Sequence, residues 1–523
     1  MANSEVGAEA SNSPGWDVIV IGSGMGGMAA AAALARIGHK VLLLEQHQTL
    51  GGLTHSFSRN GFTWDVGVHY LSSMSPDDKL RELLDWICDT PMDFVSLGSV
   101  YDILHIGSAP PLPLSRPYEA QDRDLKDRFP DETEAITAWT QALREGRETV
   151  YKTFPTRAMP ELAGDIIDWW NRRAIEKYCA RTTQEVIDDL TANPELAAAM
   201  SAQWGDHGGR PGKASFGMHA LIAGAYLISG SWYPAGGAAA YAEHIIPTIS
   251  KQGGKTRAGV RVEKLIMDKG KVVGVRTSDG EEIRAKTVIS DIGARETVDR
   301  LLPADAGHDE WIAEIRALPS SIAHFNVFLG FEGDIEAAGA TKANHWIFPT
   351  GETDVVWTAA PDEAPPQMTI GFGSLKNPAH DPGPRQKHTG QLIVWADWST
   401  VAQWADRPPG ARGEDYADFK RRAEATLMAM FARYYPELAK LVVYRELSTP
   451  LSTVSFTGHR EGAFYGLDVT PERVMSDALR AQTPVPGLFL AGQDVVSPGI
   501  PGALMGGLLA AASVDRRVFL HMR

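Results

Sequence analysis

The chain has 523 residues, of which 44% are apolar and 22% charged, and its formal net charge is −15. This length is too great for one compact core, so we expect two or more domains. The acidic balance argues against a nucleic-acid-binding surface and against attraction to anionic lipid through bulk charge. Two cysteines are too few for a disulfide framework, which is typical of a protein in a reducing cytoplasm.

The first 15 residues are small, polar and acidic, and they lack the basic and apolar regions of a signal peptide. We predict a disordered lead-in over 1–15. The longest apolar run, 214–230, carries His219 and is short for a bilayer span of about 20 residues. It is predicted to be a buried core helix.

The first predicted strand, 17–21, leads into a Gly-x-Gly-x-x-Gly turn and an alanine-rich helix. This arrangement cradles a dinucleotide pyrophosphate on the free N–H groups of the helix start. The next strand ends in Glu45, 18 residues after Gly27, close to the roughly 20 expected for a carboxylate that binds ribose hydroxyls. The predicted contacts are Gly22, Ser23, Gly24, Met25, Gly26, Gly27, Glu45 and Gln46.

A second glycine pair, Gly51 and Gly52, follows the acid-bearing strand and predicts another close approach of backbone to the pyrophosphate. A strand-like run then leads to Gly67, where the backbone can touch a planar ligand. A domain that binds only a nicotinamide dinucleotide does not need these further glycines, whereas the longer FAD does. The sequence therefore indicates FAD.

The block 17–70 resembles FAD-dependent oxidoreductases of the phytoene desaturase, carotenoid isomerase and retinol saturase family. The runs Gly-Gly-Leu-Thr-His-Ser-Phe (51–57) and Trp-Asp-Val-Gly-Val-His-Tyr (64–70) are most similar to the retinol saturase and carotenoid isomerase branch. The resemblance implies an α/β fold with a Rossmann-like FAD-binding domain of the glutathione-reductase or amine-oxidase type and an inserted α+β substrate domain. It also implies that the backbone of Val262 holds the adenine.

The stretch 484–504 predicts a strand, a glycine turn, an acid and a second glycine-started helix. In the resembling flavoproteins the matching Gly-Asp pair contacts the pyrophosphate and ribityl chain. The helix start there faces the flavin, where it stabilises negative charge on the reduced ring. The remaining predicted FAD contacts are Gly51, Gly52, Gly67, Val262, Gly492, Asp494, Pro501, Gly502 and Ala503.

Two long stretches of the chain, 76–230 and 301–467, separate the segments that are predicted to bind FAD. Residues 76–230 are predicted to form a mostly helical insertion, because charged stretches that contain tryptophan have the residue spacing of a helix. Short β-prone runs within 301–467 predict an antiparallel sheet. These runs cover 325–330, 354–358, 368–372 and 392–396. We assign 16–75, 231–300 and 468–523 to the FAD-binding domain, and 76–230 with 301–467 to the substrate domain.

Within the first of these stretches, the segment 157–178 places Trp169 and Trp170 beside two arginines. Such a helix either lies at a bilayer interface or packs on the protein's own core, and both interpretations stay open. The expected location is the cytoplasm, with peripheral membrane association as the alternative. The sequence leaves the oligomeric state open.

The resemblance implies hydride transfer at flavin N5 across a carbon–carbon bond of a hydrophobic polyene, isoprenoid or retinoid-like substrate, in saturation, desaturation or isomerisation. We predict His69 and Tyr70 as the catalytic pair, with His69 donating a proton or binding a substrate oxygen. No metal-ligand cluster and no second dinucleotide fingerprint occur in the sequence. If NAD(P)H is the transient reductant of the flavin, we expect it to enter through the substrate cleft.

Two other functions stay open at this point. A flavin amine oxidase shares the first fingerprint, but it needs an aromatic cage and a water-holding lysine near N5, neither of which the sequence places. A non-catalytic, FAD-stabilised lipid-binding protein would carry the same fingerprints.

Overall fold

The structure is a computed structural model that describes residues 15–154, 156, 161–358 and 360–522. The predicted lead-in lies outside these residues except for Gly15. The strands are β1 (Trp16–Ile21), β2 (Val41–Leu44), β3 (Ser56–Arg59), β4 (Phe62–Asp65), β5 (Phe94–Ser96), β6 (Val100–Ile106), β7 (Leu112–Ser115), β8 (Trp232–Pro234), β9 (Lys255–Arg257), β10 (Val262–Asp268), β11 (Lys271–Thr277), β12 (Glu282–Ser290), β13 (Ala323–Glu332), β14 (Asn344–Phe348), β15 (Met368–Gly371), β16 (Lys387–Ala396), β17 (Val442–Ser448) and β18 (Leu488–Leu490).

The helices form the other elements of the described chain. They are α1 (Met25–Arg36), α2 (Lys79–Ile87), α3 (Tyr118–Arg128), α4 (Thr133–Thr153), α5 (Glu161–Tyr178), α6 (Thr183–Asp188), α7 (Pro194–Ser201), α8 (Phe216–Ser229), α9 (Ala239–Lys251), α10 (Ala294–Glu296), α11 (Asp309–Ala317), α12 (Gly373–Lys376), α13 (Glu414–Tyr434), α14 (Pro436–Lys440), α15 (Pro450–Thr457), α16 (Pro471–Met475), α17 (Gly499–Val514) and α18 (Phe519–Met522).

The first sheet has β1 at its centre. Strand β1 pairs in parallel with β2 and β12, while β9 and β18 continue the parallel array on the two sides. The β10–β11 hairpin adds to β12 in antiparallel fashion. Side chains 18–21 and 41–44 are buried on both faces, as a parallel sheet covered by helices requires.

Helices α1 and α17 pack closely against each other beside this sheet. A Cβ atom on Gly507 would lie 2.1 Å from the carbonyl oxygen of Gly26, so only glycine permits the approach. The alanines of α1 are fully buried, because small side chains let the helix lie close to its neighbours. The first and last thirds of the chain therefore meet at the glycine turn that follows β1.

The second sheet has the order β17-β13-β16-β15-β14-β6-β7. It is antiparallel as predicted except at β14, which runs parallel to β6. The expectation of a mostly helical insertion over 76–230 was incomplete, because β6 and β7 come from that region. Strand β6 escaped prediction because Asp102 and His105 interrupt its apolar pattern, and both serve polar contacts inside the fold.

The prediction of a strand over 354–358 was wrong. This segment makes only an isolated bridge from Trp357 to Ala396, since Asp354 is held by an ion pair with Arg210. The strand next to β15 is instead β14. The predicted core helix is confirmed as α8, and no helix in the described part of the chain is long and apolar enough to cross a membrane.

The predicted helix 157–178 is found as α5 from residue 161 onward, and 157–160 lie outside the described residues. Its C-terminal part packs inward, with Ile175 and Tyr178 buried. Trp169 and Trp170 point outward instead, with 67% and 77% of their surfaces exposed.

Candidate functional site

A cavity of about 550 Å³ opens where the two sheets face each other. The carboxyl ends of β1, β2, β12 and β18 border one side of it, which is where ligands bind in open parallel sheets. Strands β13 and β17 and helix α15 border the other side.

The glycine turn after β1 forms one wall of this cavity. Gly22 has a φ of +95°, which favours glycine, and a Cβ on Gly27 would lie 2.0 Å from the carbonyl oxygen of Gly22. Gly24 has ordinary backbone angles, but a Cβ there would project to within 2.7 Å of Asp291 Oδ2. This part of the cavity therefore admits backbone only.

Glu45 fastens the first turn to the second glycine pair. Its Oε2 accepts hydrogen bonds from the Ser23 N–H at 2.8 Å and the Ser23 hydroxyl at 2.7 Å. Its Oε1 accepts from His47 N–H at 2.8 Å, and Gly51 N–H donates to Ser23 Oγ at 3.0 Å. The carboxylate is 7% exposed, so it borders the cavity with most of its acceptor capacity already used.

The C-terminal turn carries a second fixed acid, Asp494, which is 2% exposed. Its Oδ2 accepts from Ala294 N–H at 2.8 Å and its Oδ1 from Leu467 N–H at 3.0 Å. Gly492 has a φ of +87°, and a Cβ on Gly502 would lie 2.0 Å from Ser497 O. Helix α17 therefore begins directly at the cavity, with its free N–H groups near the wall.

The structure brings most of the predicted FAD contacts to this one cavity. Those in its wall are Gly22, Gly24, Met25, Gly26, Glu45, Gln46, Gly52, Gly67, Val262, Asp494 and Ala503. Those in the same turns and helix starts but outside the wall are Ser23, Gly27, Gly51, Gly492, Pro501 and Gly502.

The predicted catalytic residues lie elsewhere, because neither His69 nor Tyr70 contributes to the cavity wall. Burial and the nearby Lys376 and His324 lower the pKa of His69 to about 3, so its imidazole is neutral at neutral pH. His324 does line the cavity, so His69 lies between the cavity and a buried polar cluster.

We call Tyr70, Asp102, Asp206, Gln203 and Lys376 the buried polar cluster. The Tyr70 hydroxyl lies 2.9 Å from Asp102 Oδ2 and 2.8 Å from Asp206 Oδ2, and Gln203 Nε2 donates to Asp102 at 3.0 Å. A phenol has one proton to donate, so one carboxyl group must donate to it.

The protonated member of this pair is Asp206. Burial raises the pKa of both carboxyl groups, and the neighbouring Asp102 raises that of Asp206 further. Asp102 accepts two hydrogen bonds and is the ionised partner. Lys376 Nζ donates to His69 O at 2.9 Å and also to Asn344 Oδ1, which ties the loop before Tyr70 to β14.

Strand β13 of the second sheet, strand β3 and the loop before α16 together supply an aromatic wall. Phe57, Phe328, Phe464 and Tyr465 border the cavity, and the rings of His324 and Phe464 lie 4.5 Å apart edge to face. Burial lowers the pKa of His324 to about 4, so this histidine is also neutral. The wall suits an apolar, planar molecule.

Sequence reasoning missed Asp291 as a site residue, although it lies in the cavity wall. A signal was present, since Asp291 directly follows β12 just as Glu45 directly follows β2. The buried polar cluster carried no such signal, because its carboxylates come from β6 and from the loop after α7, far apart in sequence.

The cavity fits FAD as the bound group. Two glycine-lined turns that a Cβ would fill lie at the starts of α1 and α17, which suits a pyrophosphate and a flavin edge. Glu45 and Val262 border the same cavity, where the ribose and adenine are expected.

Comparison with known proteins agrees with this geometry. The model of the family described as "Flavin containing amine oxidoreductase" matches residues 25–515. An all-trans-retinol 13,14-reductase of Danio rerio is 30% identical to this chain, over 96% of it and 86% of the relative. A chloroplastic prolycopene isomerase of Daucus carota is 23% identical, over 97% of this chain and 81% of the relative.

Among solved structures, cyclohexylamine oxidase of Brevibacterium oxydans is similar with a TM-score of 0.65 and 16% identity, over 97% of this chain and 100% of that one. This likeness confirms the predicted α/β fold with a Rossmann-like FAD-binding domain and a substrate domain. The chain belongs to the flavin containing amine oxidoreductase family, and its similarity to retinol 13,14-reductases and prolycopene isomerases confirms the predicted branch.

Proposed function

We propose that this chain is an FAD-dependent oxidoreductase acting on carbon–carbon double bonds of a retinoid- or carotenoid-like substrate. The observation that carries the proposal is the single cavity, which joins both glycine turns to an aromatic wall. The similarity to proteins named as retinol reductases and prolycopene isomerases supports the substrate class.

The cavity residues would divide the work between cofactor and substrate. The turns at Gly24 and Gly52, with Asp494 and the start of α17, would hold FAD, which supplies hydride chemistry at N5 when bound. The aromatic wall would exclude water and orient an apolar chain by contact alone. A hydrocarbon offers few hydrogen bonds, so a neutral His324 suits this wall better than a charged group.

For the predicted catalytic pair we propose separate roles. Because His69 lies outside the cavity wall, it would meet a substrate oxygen only where the substrate reaches past His324. Being neutral, it would hydrogen-bond that oxygen instead of acting as an imidazolium acid. The Tyr70 hydroxyl is committed to Asp102 and Asp206, so Tyr70 would fix the loop that carries His69.

The test begins with the purified, yellow protein, whose cofactor is identified after denaturation. The bound flavin is reduced anaerobically and mixed with all-trans-retinol or a cis-configured carotenoid, while flavin reoxidation and the polyene product are followed. Reoxidation with a saturated product, or an isomerised product formed while the flavin stays reduced, supports the proposal, because isomerisation leaves the oxidation state of the flavin unchanged. A second series starts from the oxidised flavin. Its bleaching by cyclohexylamine, with no polyene reacting in either series, would favour an amine oxidase, and inertness to all of them a non-catalytic lipid-binding protein.

We further propose that NAD(P)H reduces the flavin transiently through the substrate cleft. Gly-x-Gly-x-x-Gly after a strand occurs once in the sequence, so a separate nicotinamide domain is not expected. Anaerobic mixing with NADPH and NADH, followed at the flavin absorbance band, tests this, and lack of bleaching by either contradicts it.

We also propose the domain boundaries given above. The first sheet draws its strands from 16–75, 231–300 and 468–523, and the second sheet from 76–230 and 301–467, which supports this division. Limited proteolysis with mass mapping tests it, because cleavage is expected at the boundaries before the sheets.

Peripheral contact of a cytoplasmic protein with a membrane is the last proposal. Trp169 and Trp170 stand exposed on α5, and Tyr151 on the neighbouring α4 is 48% exposed. Aromatic rings beside Arg172 and Arg173 are typical of a helix at the headgroup level, and a membrane is where an apolar polyene would be found.

A further inference from the structure

Asp291 occupies the narrow space between the two glycine turns. Its own N–H donates to Ile21 O at 2.8 Å, which places it next to the end of β1. Cβ atoms built on Gly26 and Gly492 would lie 2.5 Å and 2.3 Å from Asp291 Oδ1, and one on Gly24 would lie 2.7 Å from Oδ2. The carboxyl group thus touches both turns that border the cavity.

Most of the charged groups around Asp291 are acidic, as Asp291 itself is. Glu45 faces it from the end of β2 and Asp494 from the loop after β18, and both raise its pKa in addition to the dominant effect of burial. The Gly27 N–H at the start of α1 acts in the opposite direction. Together these influences raise the pKa of Asp291 to about 8.

The nearby cations are engaged elsewhere. Arg473 is buried, donates to Leu467 O and Gln493 O, and acts on Asp494. Arg300 borders the cavity, and the charges that act on it are Arg261 and Glu296. In the described part of the chain, no cation contributes to the pKa of Asp291.

We propose that FAD binding is coupled to protonation of Asp291, so that the dinucleotide is bound by the form of the chain in which this carboxyl group is neutral. This rests on the proposed identity of the cofactor as FAD. The reason is electrostatic: a pyrophosphate brings two negative charges to a wall that already holds Glu45 and Asp494, and a third carboxylate there would repel it.

The coupling has a definite pH dependence. With a free-state pKa of about 8, Asp291 is already protonated in most molecules at pH 7, and binding takes up about 0.1 proton. At pH 9 most molecules carry the carboxylate, and binding takes up about 0.9 proton. Above pH 8 the dissociation constant for FAD rises about tenfold for each pH unit.

The experiment measures proton uptake directly. The full-length chain is freed of flavin, and FAD is titrated calorimetrically at pH 7 and pH 9 in two buffers of different ionisation enthalpy at each pH. Asp291→Asn keeps the shape but cannot ionise, so it should take up no proton and should bind FAD about tenfold more tightly than the wild type at pH 9. Glu282→Gln, at an exposed position at the far end of β12, the strand that precedes Asp291, should behave as the wild type.

The outcomes distinguish a failure of this inference from a failure of the proposal that the cofactor is FAD. Wild-type uptake near one proton at pH 9 that disappears in Asp291→Asn supports it. FAD binding without uptake at pH 9, or with undiminished uptake in Asp291→Asn, overturns it while leaving FAD as the cofactor. If Asp291→Asn does not fold, the wild-type proton count still decides, and a chain that binds no FAD at either pH overturns both.

Discussion

Replacement of Tyr70 by phenylalanine removes the hydroxyl that links the two carboxyl groups of the buried polar cluster. The hydroxyl donates to ionised Asp102 and accepts from protonated Asp206. A hydrogen bond to a charged group contributes about 1.5–3 kcal/mol and a neutral one about 0.5–1.5 kcal/mol. We expect Tyr70→Phe to lose about 2–4 kcal/mol of unfolding free energy, with Asp102 left partly unsatisfied.

Tyr101 offers a matched control. Like Tyr70, it is buried and packs against Tyr226, with ring centroids 5.5 Å apart compared with 4.9 Å for Tyr70. Its hydroxyl faces Gln203 but makes no hydrogen bond of good geometry with any described residue. Since an unsatisfied buried hydroxyl costs free energy, Tyr101→Phe should leave stability unchanged or raise it by up to about 1 kcal/mol.

The assay is thermal unfolding of both variants, followed by circular dichroism with excess FAD. For a chain of this length the unfolding entropy is on the order of 1 kcal/mol per degree, so Tyr70→Phe should lower Tm by about 2–4 °C. Tyr101→Phe should not lower Tm. Equal shifts in the two variants, or an unchanged Tm in Tyr70→Phe, would refute the shared-proton arrangement.

Three further predictions concern other parts of the molecule. Gly24→Val places a branched side chain against Asp291 and should abolish FAD retention. The control variant Gly373→Ala should keep FAD, because its Cβ meets only an ordinary contact at 3.6 Å. Full flavin occupancy of Gly24→Val in an absorbance spectrum would refute the placement. Burial lowers the pKa of His219 to about 4, so the unfolded chain binds more protons below pH 6.5. Stability should therefore fall by about 2 kcal/mol through this residue between pH 6.5 and 5, and urea unfolding of His219→Gln should lack that component. Replacing Trp169 and Trp170 together by serine should reduce co-sedimentation with phosphatidylcholine vesicles at least several-fold without changing Tm, and equal sedimentation of both proteins would contradict membrane contact through α5.

The parts of the fold that the sequence predicted are those in which local pattern and tertiary role agree. Residues 18–21 of β1 and 25–35 of α1 are uniformly apolar because they are buried, and the glycine spacing between them has one steric solution. Strand β6 is an exception, because its sequence pattern and its place in the fold do not agree. Asp102 is polar because its partners, Tyr70 and Gln203, lie 32 and 101 residues away, so its neighbours in sequence carried no sign of them.

The same reasoning explains which residues of the site could be predicted from the sequence and which could not. The glycine turns at the cavity were predictable because close approach of backbone demands glycine, which leaves a visible trace at Gly24 or Gly492. The aromatic wall was not predictable, because Phe328 and Phe464 look like any core residues until the fold brings β13 and the loop before α16 to the cavity. His69 was predicted from its neighbours in sequence, but its pKa is lowered first by burial and then by Lys376, about three hundred residues later.

The contact of Gly507 with Gly26 has a consequence for how this protein is made. The helix start at α1 leaves the ribosome early, but the turn that faces it, with Gly492 and α17, is synthesised nearly five hundred residues afterwards. During that interval α1 can pack on β1, β2 and α9 but lacks α17, and the dinucleotide cradle lacks one of its walls. The cradle is therefore complete only after synthesis has passed Gly492 and α17.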